Sequence, residues 1–167
     1  MNKKTIKDID VKGKKVFVRV DYNVPFDDKM NITNDTRMVR TLPTLNYLLD
    51  GGAALILACH IGRPTEAKEE KFSTKHLVGH LSEILKKDVK WASDCVGPEA
   101  EKAAADLKPG EVLLLENLRY HKEEKKNDPA FAKQLASLAD IAVDDAFGVA
   151  HRAHASNVGI ASDLETV

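Results

Sequence analysis

The 167-residue chain has only two cysteines, Cys59 and Cys95, too few for a disulfide scaffold. It has no excess of either charge. Its 25 Lys and Arg against 26 Asp and Glu leave a formal net charge of −1, without the basic footprint of a nucleic-acid binder. No apolar run approaches the roughly 18 residues of a membrane-spanning helix, and the opening MNKKTIKDID lacks the apolar core of a secretory signal. The nine glycines form neither G-x-x-x-x-G-K-[ST] nor G-x-G-x-x-G, so no nucleotide-phosphate loop is legible. A cytoplasmic globular domain is therefore expected, and a secreted, membrane-spanning or disordered chain is not. A chain near this length buries around 68–70% of its unfolded surface and needs neither disulfide nor metal to hold it.

Arginine is scarce as well. There are six, Arg19, Arg37, Arg40, Arg63, Arg119 and Arg152, among 25 basic residues. The lysines scatter through helical and turn segments, whereas the arginines mostly sit where apolar runs end.

Those runs alternate with helical patterns, which implies βαβ units and a parallel sheet. The first strand is read over Lys15–Asp21, stopping at Asn23-Val24-Pro25. A helix from about Asp35 to Asp50 follows, with Met38, Leu42, Leu45 and Leu49 on one face, Asn34 or Asp35 as cap, and Gly51-Gly52 as the stop. Pro43 falls inside it and should kink or loosen it. Ala53–Cys59 is apolar throughout, as a strand covered on both faces reads. Residues 60–73 read as a polar loop, Leu77, Leu81, Ile84 and Leu85 as a helix, Val89–Ala92 as a weaker strand, and Gly97–Leu107 as a helix. Glu111–Leu115 is a clear strand, Lys122–Asp128 a charged loop, Phe131, Leu135 and Leu138 mark a helix, and Ile141–Val143 is the last distinct strand. The expected fold is a doubly wound, three-layer α/β/α domain over residues 1–167 with a mainly parallel sheet of about six strands.

In such sheets ligands bind beyond the carboxyl ends of the strands. Those ends carry Asp21-Tyr22-Asn23, then His60-Ile61-Gly62-Arg63, then Glu116-Asn117-Leu118-Arg119, and finally Asp144-Asp145 followed by His151-Arg152-Ala153-His154. Arg37, opening the first helix, belongs to the same edge. Parallel strands would bring Arg37, Arg63, Arg119, Arg152 and His60 to one rim. Guanidinium forks match phosphate and carboxylate oxygens two at a time, and several of them repel one another unless an anion lies between. A small phosphorylated acid is the simplest ligand, with Asp21 and Asn23 serving a hydroxyl or orienting an arginine.

Four segments, RVDYNVP at 19–25, HIGRP at 60–64, LLENLRY at 114–120 and DAFGVAHRAH at 145–154, together resemble the phosphoglycerate kinase family, in the order and approximate spacing of its N-terminal domain. The resemblance runs the length of the chain. It implies that Arg63, Arg119 and Arg152, with His60 and Gly62, hold the 3-phosphate end of 3-phosphoglycerate or 1,3-bisphosphoglycerate. Asp21 and Asn23 would bind the glycerate hydroxyl or carboxyl end. Arg37 would face the transferred phosphoryl group as the catalytic side chain. It also implies that Mg-ATP or Mg-ADP binds a C-terminal domain lying beyond this chain, so that the chain binds substrate without turning it over. The expected partners are the substrate and that second domain, with no nucleic acid, no membrane and a monomeric state. Departures from the family pattern are Tyr22 and Tyr120 for Phe, Ile61 for Leu, Asp144 for Asn and Val149 for a smaller residue. None removes a ligand-contacting group, although Asp144 adds a charge near the anion site.

Other readings stand beside this one. Arg19 and Arg40 read as surface salt-bridge partners, Cys59 as a core residue, and the Glu/Lys runs at 66–71 and 122–126 as solvated loops. His76 with His80, and His151 with His154, lack a completing Cys or carboxylate, so no metal site is expected. A stand-alone anion-binding module without catalytic activity is the alternative function. A receiver-like signalling domain fits poorly, because the strand ends that should be acidic carry His60 and Arg119.

Overall fold

The computed structural model describes residues 5–65, 69–146 and 154–167. Six strands, β1 (Lys15–Val20), β2 (Ala54–Ala58), β3 (Val89–Ala92), β4 (Val112–Leu115), β5 (Ile141–Asp145) and β6 (Glu165–Thr166), form one sheet in the order β3-β4-β2-β1-β5-β6. Every pairing is parallel, with Phe17 opposite Ile56 on one side and Ala142 on the other. The expected architecture holds. β6 is a two-residue edge strand that carries no apolar run, and no periodicity announced it.

β1 and β2 are central, and their alternation divides the core in two. Val16, Val18, Val20, Leu55, Leu57 and Cys59 face one layer, which holds α1 (Thr36–Val39), α2 (Leu42–Asp50) and α3 (Val78–Leu85). Phe17, Ala54, Ile56 and Ala58 face the other, where α4 (Pro98–Ala105), α5 (Pro129–Ala136) and a π-helical turn at Ala155–Gly159 pack. At about 25 cal/mol per Å², side chains buried this completely each contribute on the order of 1.5–3 kcal/mol.

The stretch read as one helix from Asp35 to Asp50 is two. α1 ends at Val39, and α2 starts at Leu42 with Pro43 in its first turn, where a missing N–H costs nothing. The proline therefore begins a helix rather than kinking one. Tyr22 braces the junction: its hydroxyl donates to Thr41 Oγ1 at 2.7 Å, because that hydroxyl's own proton goes to Met38 O. The break rotates α2, so Leu45 and Leu48 are its buried pair while Leu42 and Leu49 are half-buried. Asn34 Oδ1 accepts the Thr36 N–H at 3.0 Å, and Asp35 makes no capping bond. α5 begins cleanly, with Asp128 accepting from Phe131 N at 2.9 Å.

Candidate functional site

The carboxyl ends of β1, β2 and β4 lie side by side, and backbone amides tie their loops together. Asn23 Oδ1 accepts the Gly62 N–H at 2.9 Å, and the Gly62 carbonyl accepts Arg119 Nη1 at 3.4 Å. Gly62 thus joins the loop after β1 to the loop after β4. Its φ of +60° and the Phe72 ring, 2.3 Å from where a Cβ would stand, make glycine obligatory. Asn117, fully buried, fastens the same loops from beneath: Nδ2 donates to Ile61 O and Phe72 O, both at 2.9 Å, and Oδ1 accepts the Arg119 N–H at 3.0 Å. Glu116 accepts from Ser73 Oγ at 2.7 Å and Thr74 N at 2.8 Å, anchoring the far end of the 60–73 segment, which includes a short 3-10 turn at Glu70–Phe72.

Arg37 reaches this edge from α1. Its Nη1 donates to Asn23 O at 2.8 Å and to Asp21 Oδ1 at 3.3 Å, with half of the side chain exposed. Asp21 therefore orients an arginine. Beyond Gly62, Arg63 and Arg119 line a cleft of about 260 Å³ together with Lys122, Lys125 and Lys126. Those lysines belong to a stretch read as a solvated loop, and their place in the lining of this cleft was missed. The signal was present in the sequence: Lys122, Lys125 and Lys126 have one-turn spacing and closely follow Arg119. The donor set of this edge is guanidinium, ammonium and amide, suited to oxyanions and unsuited to a divalent cation.

Two expectations need correction. Arg19 is no surface residue: it is 1% exposed, because a central strand of a doubly wound sheet has no solvent face. Its Nε donates to Ser156 Oγ at 2.9 Å, Nη1 to Val20 O at 2.6 Å, and Nη2 bonds His60 Nδ1 at 2.9 Å. Glu124, in the supposedly solvated 122–126 run, is fully buried 3.9 Å from Arg19 Nε and accepts both the N–H and the hydroxyl of Ser156. His60 is 5% exposed, with its Nδ1 at this buried arginine. Arg152, Val149 and His151 fall outside the described residues.

Neighbouring acids feel the burial. Asp145 is pushed up to about 6, first by desolvation and then by the Asp144 charge beside it. Asp144 itself is raised by burial, partly offset by its bond from Ala146 N and by Arg19. Both lie within β5. The Cys59 thiol is pushed up to about 12 by burial, which keeps it protonated and inert.

Among the described residues, Asp94, Cys95 and His121 bring ligand atoms within 4.8 Å of one another. His121 Nε2 already bonds Asp94 Oδ1 at 2.7 Å, and that oxygen also accepts the Cys95 N–H at 2.7 Å. Burial holds the thiol well above its ordinary value. The trio is a hydrogen-bonded clasp. His76 and His80 sit on different elements and pair separately with Glu70 and Asp35.

Comparison with known proteins agrees with this geometry. A family model described as "Phosphoglycerate kinase" matches residues 6–167. The chain is 53% identical over 167 residues to the phosphoglycerate kinase of Desulforudis audaxviator, covering all of this chain and 42% of that protein. It is 58% identical over 160 residues to the cytosolic enzyme of Triticum aestivum, covering 96% of this chain and 40% of the relative. The crystal structure of phosphoglycerate kinase from Pyrococcus horikoshii superposes with a TM-score of 0.88 at 36% identity, over 97% of this chain and 41% of that one. The chain thus spans about two fifths of the length of these relatives. Its sheet order, its bridged strand-end loops and these matches give one conclusion: the chain belongs to the phosphoglycerate kinase family, to whose N-terminal part it corresponds.

Proposed function

We propose that residues 1–167 form the substrate-binding domain of a phosphoglycerate kinase, holding 3-phosphoglycerate or 1,3-bisphosphoglycerate for reversible phosphoryl transfer with a nucleotide. The observation that carries the reading is the hydrogen-bonded chain Arg37–Asn23–Gly62–Arg119, which sets two guanidinium groups at one sheet edge beside the cleft of Arg63 and three lysines. In this reading Arg63, Arg119 and Arg152, with His60, hold the phosphate, with Gly62 setting the turn. Asp21 and Asn23 meet the glycerate hydroxyl and carboxyl. Arg37 meets the charge that develops on the transferred phosphoryl group, the interaction worth most when it strengthens in the transition state.

The nucleotide and its Mg²⁺ belong to a second domain in this proposal, since the cationic rim does not suit a metal ion. The isolated chain then binds substrate and does not turn it over. A monomer in the cytoplasm suits a glycolytic kinase, and relatives from wheat and tobacco are named cytosolic, although those from Volvox and Arabidopsis are named chloroplastic. No helix among the described residues is long and apolar enough to cross a membrane.

The test is an NMR titration of the chain with 3-phosphoglycerate, with sulfate as control. Saturable shifts at residues 21–23, 37, 60–63 and 119, tighter than for sulfate, are expected. Equal affinity for both anions would reduce the site to a general anion rim.

A further inference from the structure

We infer that Arg19 is a positioning residue that fixes the proton of His60 on Nε2, so that the ring serves the anion site as a neutral, directed donor. The inference rests on the substrate-binding reading above for its purpose, but its chemistry follows from the buried cluster alone. A guanidinium has five N–H donors and no acceptor, and it does not lose its charge in a protein. The 2.9 Å contact from Arg19 Nη2 therefore requires His60 Nδ1 to accept. A proton on Nδ1 would lose that bond, and a doubly protonated ring would also set an imidazolium against a buried guanidinium. The neutral ring must then carry its proton on Nε2.

The direction of the remaining hydrogen bonds is forced in the same way. Glu124, fully buried, can only accept as a carboxylate, so the Ser156 hydroxyl donates to it. That leaves Ser156 Oγ to accept from Arg19 Nε at 2.9 Å. Val20 O takes Nη1 at 2.6 Å and pins the plane of the fork along β1. Each member has one allowed polarity, running from the carboxylate of Glu124 to the imidazole of His60. Glu124 balances the buried charge, and Ser156 sets the distance between the two ions. His60 begins the loop that carries Gly62 and Arg63, so a ring held in one tautomer and one plane also defines where that loop leaves β2.

The experiment reads the ring directly. In the ligand-free chain, long-range 15N–1H correlation spectra of the imidazoles at neutral pH should show His60 with an unprotonated Nδ1 and a protonated Nε2. A proton on Nδ1, alone or on a doubly protonated ring, overturns the inference whether or not 3-phosphoglycerate binds. Arg19→Lys keeps the charge but offers a single ammonium that cannot serve His60, Ser156 and Val20 together. It is expected to give a mixture of His60 tautomers and affinity for 3-phosphoglycerate lower by about tenfold or more. A folded Arg19→Lys protein with an unchanged His60 spectrum and unchanged affinity also overturns it. If the wild-type tautomer is as stated and the ligand does not bind, the substrate reading fails and the tautomer lock stands.

Discussion

The two faces of the sheet are built on different principles. Toward α1, α2 and α3 the core is mainly aliphatic, with Val16, Val18, Leu45, Leu48, Leu55, Leu57 and Leu81 interleaved and Tyr22 as its fully buried ring. Toward α4 and α5 alanines are frequent, with Ala54, Ala58, Ala100, Ala104, Ala132, Ala136 and Ala155 set among larger side chains such as Phe17, Ile56, Leu113 and Phe131. On that second face the carboxyl end of the sheet holds Arg19, Glu124, Ser156 and His60 in place of hydrocarbon. One face supplies stability that tolerates a methylene more or less. The other holds charges whose value depends on every partner being present.

The sharpest way to break that contrast is to remove one charge from the second face. Glu124→Ala leaves a guanidinium buried without its counter-ion, and the expected loss is about 3–5 kcal/mol, seen as a lower thermal midpoint. Replacing both ions, Arg19→Met with Glu124→Leu, should recover most of that stability while 3-phosphoglycerate affinity stays low. A double variant as unstable as the single one would show that the ions stabilise the domain beyond balancing each other. On the aliphatic face, Leu57→Ala should cost about 2–5 kcal/mol with no partner change that rescues it, because its penalty is lost contact and cavity.

The rim offers a third kind of site, with binding separable from stability. Arg119→Ala and Arg63→Ala should each weaken 3-phosphoglycerate binding by about 1.5–3 kcal/mol and leave the thermal midpoint nearly unchanged. Arg40, exposed at the end of α1, should matter to neither when changed to alanine. Calorimetric titration of the three variants decides it: equal losses at all three would mean diffuse basicity in place of a site.

How far these regions were legible in the sequence follows the range of the forces that make them. Strands, the βα alternation and the strand-end residues are local patterns, so Asp21, Asn23, Gly62, Arg63 and Arg119 could be placed on one edge before any coordinates. The split of the first helix was half legible. Pro43 announced a disturbance, but whether it kinks one helix or starts another depends on the Tyr22 hydroxyl bonding Thr41 across the junction. The buried cluster was not legible, because Arg19 meets Ser156 across 137 residues and Glu124 lies within a run of lysines. One clue was available: a strand in the middle of a doubly wound sheet has no exposed face, so an arginine there must be buried and must find a carboxylate.

The smallest expected effect lies at Asp144 and Asp145, beside the second face. Asp145 titrates near 6 in the native state, so the folded chain keeps a proton that the unfolded chain has lost by about pH 4. Between those values the native state binds more protons, and stability falls as pH rises. The contribution is complete below the unfolded value and gone once pH passes through 6. Burial is the larger cause and remains in an Asp144→Asn variant, but the neighbouring charge is removed, so the native value at Asp145 should fall part of the way back. Wild type and variant should then differ little at pH 4 and by less than about 1 kcal/mol at pH 7.5, with the variant more stable, since both carboxylates are half-exposed and solvent screens them. Denaturant midpoints at the two pH values measure this. A variant less stable at pH 7.5 would mean that the attraction of Asp144 to Arg19 outweighs both its burial and its repulsion of Asp145, and the second face would then extend its charge network into β5.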